Sequence, residues 1–300
     1  MPALPARLPD VMVAVAFVGD HGLVLQVGSH LLQARGPEWT WTPVDTPSPQ
    51  VTLFGPGIED TLILRVGTGL ISMDPNGKVA DLAIGGDPVV VVPSPWRADA
   101  LCCGFRGRKL QTWLHSFATG AASKPLFADG THPIAVAWRR DGSGFAAVVG
   151  EFAAGGGDVA TAAAMCDEKG ARTATFRTGE QVQALEFTPD GKSLFVAEGV
   201  LRRLAGDTAE EIARVERRFE AFGCVEERTG IGIDGASISV WDLGELREHS
   251  SFALAEQRPA EVKPGSRHHG AVLAVGWSAD RRRVALVTFA GVRVIEFRRS

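Results

Sequence analysis

The chain is built from short apolar runs broken by turn residues, and helical spacing is rare in it. In ALEFTPDGKSLFVAEG (184–199) a run ending at Phe187 meets Pro189-Asp190-Gly191 and is followed by a second run, LFVAEG. The same order recurs in AVAFVGDHGLVLQVG (14–28), AVAWRRDGSGFAAVVG (135–150) and AVGWSADRRRVALVTF (274–289). VVVVPSPWRADALCCGF (89–105) follows it more loosely. Short apolar runs bounded by Gly, Pro and Asp predict strands. Closely set Val and Ala predict strands buried on both faces. A third, half-exposed run follows and ends at an Asp.

The spacing repeats. From Phe54 to Asp74, Phe187 to Asp207 and Phe222 to Asp242 the offset is 20 residues each time. Equivalent first-strand anchors fall at Phe17, Phe54, Val92, Trp138, Phe187, Phe222 and Trp277, with gaps of 37, 38, 46, 49, 35 and 55. A period near 40 made only of strands predicts antiparallel meanders that must stack on neighbours to bury both faces. Phe187, Trp138 and Trp277 are expected in the core.

These features resemble the WD-repeat β-propeller family. FTPDGK (187–192) matches its turn between first and second strands, and SVWDL (239–243) matches its third-strand ending. His268, nine residues before Trp277, stands where the family places a His ahead of the first strand. The resemblance covers most of the chain with degenerate repeats: there is one Trp-Asp pair, and no blade carries the full His, Ser/Thr, Asp, Trp set. It implies an all-β, single-domain propeller over residues 1–300, with seven blades of four-stranded antiparallel sheet. The last frame stops after three strands, so residues 3–10 are expected to supply its outer strand. The alternative has six blades and a helical insert near 207–230. There Ile212, Val215, Phe219 and Phe222 are helically spaced, Glu210 and Arg214 are four apart, and Asp207 or Thr208 would cap.

Composition narrows the function classes. The 300 residues are 45% hydrophobic and 22% charged with a net charge of −4, which describes an ordinary globular chain and makes nucleic acid an unlikely partner. No apolar run is long enough to cross a membrane, and Val11–Val18 lacks the flanks of a secretory signal, so a cytoplasmic protein is expected. Cys102, Cys103, Cys166 and Cys224 are expected as free, buried thiols. The seven histidines, including His268-His269, show no metal-ligand spacing, and GIGIDG (230–235) reads as a hairpin because no helix follows. No cofactor, metal or catalytic residue is assigned.

The expected function is therefore a non-catalytic protein-interaction scaffold, a monomeric propeller within a bacterial regulatory or defence complex. The alternative is a propeller hydrolase or lactonase with a metal in the central channel. A third reading is a sensor holding a small molecule there. In the propeller frame the first turns emerge on one side of the disc. They carry Arg97, Arg139, Arg140, Lys192, Arg281, Arg282 and Arg283, a candidate surface for an acidic partner. Trp39, Trp41 and Trp96 are expected in turns as binding anchors. The segments 151–158 and 254–271 are expected as polar surface loops, the second as a partner-contacting arm.

Overall fold

The computed structural model describes residues 13–19, 22–36, 40–46, 50–58, 61–67, 69–85, 87–152, 158–179, 181–235, 237–254, 272–288 and 291–297. These form seven antiparallel sheets with no helix among the described residues. Blade 1 comprises β1 (Val13–Val18), β2 (Gly22–Val27), β3 (His30–Arg35) and β4 (Thr40–Pro43). Blade 2 comprises β5 (Val51–Pro56), β6 (Leu62–Val66), β7 (Gly69–Met73) and β8 (Val79–Leu82). Blade 3 has β9 (Asp87–Pro93), β10 (Asp99–Arg106) and β11 (Lys109–Ser116). Blade 4 has β12 (His132–Trp138), β13 (Gly144–Phe152), β14 (Asp158–Asp167) and β15 (Arg172–Thr175). Blade 5 has β16 (Ala184–Phe187), β17 (Ser193–Ala197), β18 (Leu201–Ala205) and β19 (Glu211–Val215). Blade 6 has β20 (Ala221–Cys224), β21 (Thr229–Ile233), β22 (Ser237–Asp242) and β23 (Arg247–Ala253). Blade 7 has β24 (Val272–Trp277), β25 (Arg283–Thr288) and β26 (Gly291–Glu296). The fold is a seven-bladed β-propeller.

Each predicted anchor lies on the first strand of its own blade, from Phe17 on β1 to Trp277 on β24. In blade 3 the fourth strand is irregular. Residues 121–130 run beside β11, with Ser123 and Leu126 donating to the carbonyls of Leu114 and Thr112 at 2.8 and 2.9 Å. Residues 3–10 and His268 lie outside the described residues, as do Trp39 and most of both predicted loops.

The helical alternative for 207–230 is corrected. Ile212 and Val215 sit on strand β19, and Ile212 is 53% exposed. Phe219, fully buried, meets Phe222 and Trp241 with ring centroids 5.5 Å away in each case. The helix-like spacing is thus coincidental: Ile212 faces solvent on β19, Phe219 lies in the connection, and Phe222 is on β20. Gly232 makes room for the aromatic cluster, since a Cβ there would stand 2.2 Å from the Phe219 ring.

Contacts divide the chain into two compact units. Unit 1 holds Met1–Leu82, Asp234–Ile238 and Phe252–Ser300; unit 2 holds Ala83–Ile233 and Ser239–Ser251. In unit 1, β1 is shared between two interfaces. Val15 and Phe17 pack with Leu273, Ala285 and Val287 of blade 7, while Ala16 and Val18 pack with Leu53, Leu62 and Leu64 of blade 2. The two-residue period of a strand sends alternate side chains to opposite faces, and each face here meets another blade. Gln26, fully buried, extends this contact: its amide donates to the Val51 carbonyl and accepts from Leu53 N–H, both at 2.7 Å. In unit 2 the clusters join blade 3 to blade 4 through Leu101, Leu114 and Phe145, and blade 4 to blade 5 through Val148, Leu185 and Phe187.

Second strands are the most buried: β13 is buried from Gly144 to Gly150 and β17 throughout. They lie between two strands of their own sheet and between neighbouring sheets. First strands mix buried and half-buried positions, which corrects two core assignments: Phe187 is 2% exposed, but Trp138 and Trp277 are only half-buried.

Candidate functional site

The first turns were expected to hold a partner-facing set of cations, and the structure gives several of them internal work. Arg97, in the β9–β10 turn, pairs with Asp99 at 2.6 Å and donates to the Gly142 carbonyl of blade 4 at 2.9 Å. Arg139, in the β12–β13 turn, donates to Gly191 O of blade 5 at 2.9 Å and also to Gly206 O. Its guanidinium stands 4.5 Å over the Phe187 ring. Arg140 donates to Cys224 O of blade 6 at 2.6 Å and lies 5.9 Å from the ring of Trp96. An arginine fork suits this because it holds several acceptors and stacks at once. Within unit 2, then, Arg97 and Arg139 each reach the next blade, and Arg140 reaches blade 6, two blades on, beside the ring of Trp96. Lys192 differs: its side chain is 82% exposed and pairs with Asp190 of its own turn at 3.2 Å.

In unit 1, Arg283 stacks 5.2 Å from the Phe17 ring of blade 1. Arg281 and Arg282 are half-buried, and Arg281 has a positive φ of 61°. Trp41 lies on β4 rather than in a turn and packs half-buried against the cluster shared by blades 7 and 1.

Aspartates shape the turns. Thr188 Oγ1 donates to Asp190 at 2.7 Å, and Ser193 N–H donates back to Thr188 Oγ1 at 3.0 Å. Ser278, Asp280 and Arg283 repeat this in blade 7 at 2.6 and 2.9 Å. At third-strand ends, Asp74 accepts from Asn76 and Lys78 N–H, and Asp167 accepts from Lys169 and Ala171 N–H. The N–H groups of Glu245 and Gly244, with Arg228, hold the Asp242 carboxyl below the usual range. The Ser143 N–H does the same for Asp141. Burial pulls Asp190 and Asp280 upward, but the hydroxyl and N–H donors of their turns outweigh it and both are lowered. In the single Trp-Asp blade, Trp241 Nε1 donates to Ser239 Oγ at 2.8 Å.

The opposite ends of the second strands carry what sequence reasoning missed. Val89, Phe105 and Phe152 are 45, 50 and 72% exposed. Phe105 is the last residue but one of β10 and pairs across to Asp87 at the start of β9; Phe152 ends β13 of the adjoining blade. All three therefore sit at one end of two packed sheets. Phe152 stacks on His132, centroids 4.1 Å apart, and His132 Nε2 bonds Asp158 at 3.0 Å. The available signal was a large apolar residue abutting a turn, as in FRGRK and EFAAGGG.

All four cysteines are free and buried. Burial raises the thiols of Cys102 and Cys103 and pushes Cys166 up to about 11, so they stay protonated at neutral pH. Among the described residues no group of three or more His, Cys, Asp or Glu could hold a metal, and no helix is long and apolar enough to cross a membrane.

No family model matches the chain, and no curated protein matches it. Among solved structures, a chain from "Crystal Structure of Mitotic Checkpoint Complex" is similar over 99% of this chain and 90% of its own, with a TM-score of 0.67 at 10% identity. At that identity the likeness is one of fold.

Proposed function

We propose that the protein is a degenerate WD-repeat propeller that acts as a non-catalytic protein-interaction scaffold, one subunit of a bacterial regulatory or defence complex in the cytoplasm. The observation that carries this reading is the exposure of Val89, Phe105 and Phe152 at the same end of two neighbouring sheets. Large apolar side chains exposed at one end of two well-packed sheets are what a protein partner can bury. The solved neighbour supports it as a propeller-like chain crystallised within a multi-protein complex. The first-turn cations are a weaker candidate surface, since Arg97, Arg139 and Arg140 already hold carbonyls of other blades.

The test is affinity purification from the source cells with Phe105→Asp/Phe152→Asp, beside Arg281→Glu/Arg282→Glu/Arg283→Glu. A stoichiometric partner kept by the wild type and the arginine variant, and lost by the phenylalanine variant at unchanged melting temperature, is expected. A partner lost only with the arginine variant would move the interface to the first turns, and no stoichiometric partner for the wild type would remove the scaffold reading.

A further inference from the structure

We infer that the apolar end of blades 3 and 4 docks a second copy of this chain, in a two-fold pair that sets blade 3 of each copy against blade 4 of the other. The inference rests on the reading of that end as a protein-binding surface and names what occupies it. Every residue it uses lies in unit 2.

The two blades present equivalent hairpins there, each joining a second strand to a third. β10 and β11 meet at a two-residue turn, Gly107-Arg108, between the paired Arg106 and Lys109. Gly107 takes the positive φ (68°) that so tight a turn needs, which leaves Arg108 at the tip. In blade 4, β13 ends in Glu151-Phe152 and β14 begins at Asp158. The blades are also joined at this end. Thr112 Oγ1 of β11 donates at 3.1 Å to the carbonyl of Thr131, the residue before β12.

Most charges at the two tips are engaged within the chain. Lys109 pairs with Asp129 at 2.7 Å, and Asp158 bonds His132 at 3.0 Å. Arg106 lies 4.3 Å over the Trp113 ring and donates to Ser123 O at 3.2 Å. Arg108 and Glu151 remain, both exposed, and neither forms an ion pair among the described residues. Blade 3 thus offers a cation near the exposed Phe105, and blade 4 offers a carboxylate next to the exposed Phe152. A patch lying beside its own complement is what a two-fold interface needs, because each element then meets the other across the axis. An axis between the blades sets Arg108 against the second copy's Glu151 and Phe105 against the second copy's Phe152, and it makes each contact twice. Phe152 is already held by its stack on His132, so docking costs it little freedom. Two rings and one free charge from each blade pair make a small interface, so the dimer should be weak and reversible, in the micromolar range.

The test is sedimentation of the purified protein from micromolar to several hundred micromolar, on variants that keep the wild-type melting temperature. The wild type should dimerise, and Phe105→Asp/Phe152→Asp should stay monomeric. Arg108→Glu and Glu151→Arg should each weaken the dimer about tenfold or more, since both ion pairs become repulsive. The double reversal Arg108→Glu/Glu151→Arg should recover wild-type affinity to within about threefold, since it restores both pairs. A monomeric wild type, a dimer indifferent to the single reversals, or no recovery in the double would each overturn the inference. A monomeric wild type whose cellular partner is still lost with Phe105→Asp/Phe152→Asp would overturn docking of a second copy and keep the surface reading. A dimer with this charge pattern and no other stoichiometric partner from cells would support the inference and remove the scaffold reading.

Discussion

Blades 4 and 5 close the same turn in two ways. After the anchor, blade 4 reads Arg139-Arg140-Asp141-Gly142 and blade 5 reads Thr188-Pro189-Asp190-Gly191. In blade 5 the residue after the anchor serves its own hairpin: Thr188 is 3% exposed and bonds Asp190 and Ser193. In blade 4 the same position reaches out, and Arg139 spans to Gly191, Gly206 and the Phe187 ring of the next blade. One slot in the repeat can therefore stabilise either the blade itself or the join between blades. A hydroxyl is short and can only do the first, whereas a guanidinium on a long stem can do the second. Charge at a turn is consequently poor evidence of a free binding surface.

The comparison can be broken at several points. The largest effect is expected from Phe187→Ala, which removes both a buried core ring and the platform under Arg139. It should cost about 3–5 kcal/mol in urea unfolding. Arg139→Ala follows, at about 2 kcal/mol, since two charge-assisted bonds to carbonyls of the neighbouring blade disappear. Thr188→Val should cost about 1–2 kcal/mol, because it keeps shape but leaves the buried Ser193 N–H short of an acceptor. If Arg139→Ala proves milder than Thr188→Val, the join matters less than the hairpin.

Acid gives a smaller and graded effect. Asp141, Asp190 and Asp280 have lowered folded-state pKa values, so the stability they add is present above the unfolded value of about 4 and is lost as pH falls through the folded ones. The unfolding midpoint should hold from neutral pH to about 4 and then decline. Asp190→Asn should flatten that decline, and an unchanged slope would show that the turn carboxylates do not drive it. The smallest effect belongs to Lys192→Ala, on a side chain that is mostly in water: under about 0.5 kcal/mol.

The blades were legible in the sequence because their punctuation is local. The 20-residue offset from Phe54 to Asp74 and from Phe222 to Asp242 links a first-strand anchor to an aspartate that accepts N–H groups two to four residues ahead. Such turns leave Asp and Gly at fixed places. The joins between blades were not legible. Arg97 finds Gly142 across 45 positions, Arg139 finds Gly191 across 52 and Arg140 finds Cys224 across 84, and nothing near any of them marks the acceptor, a backbone carbonyl with no residue type of its own. For the same reason the turn cations read as one partner surface. Trp138 and Trp277 were placed too deep because first and second strands share one apolar composition, while only the second is covered on every side.

The most direct measurement is a double-mutant cycle on the join between blades 4 and 5, with Arg139→Ala and Phe187→Leu made singly and together and unfolded in urea. If the first-turn arginine holds the neighbouring blade through that ring, the two changes should couple by about 1 kcal/mol. Additivity within about 0.3 kcal/mol would mean that Arg139 and Phe187 act separately, and that the join does not run through the ring.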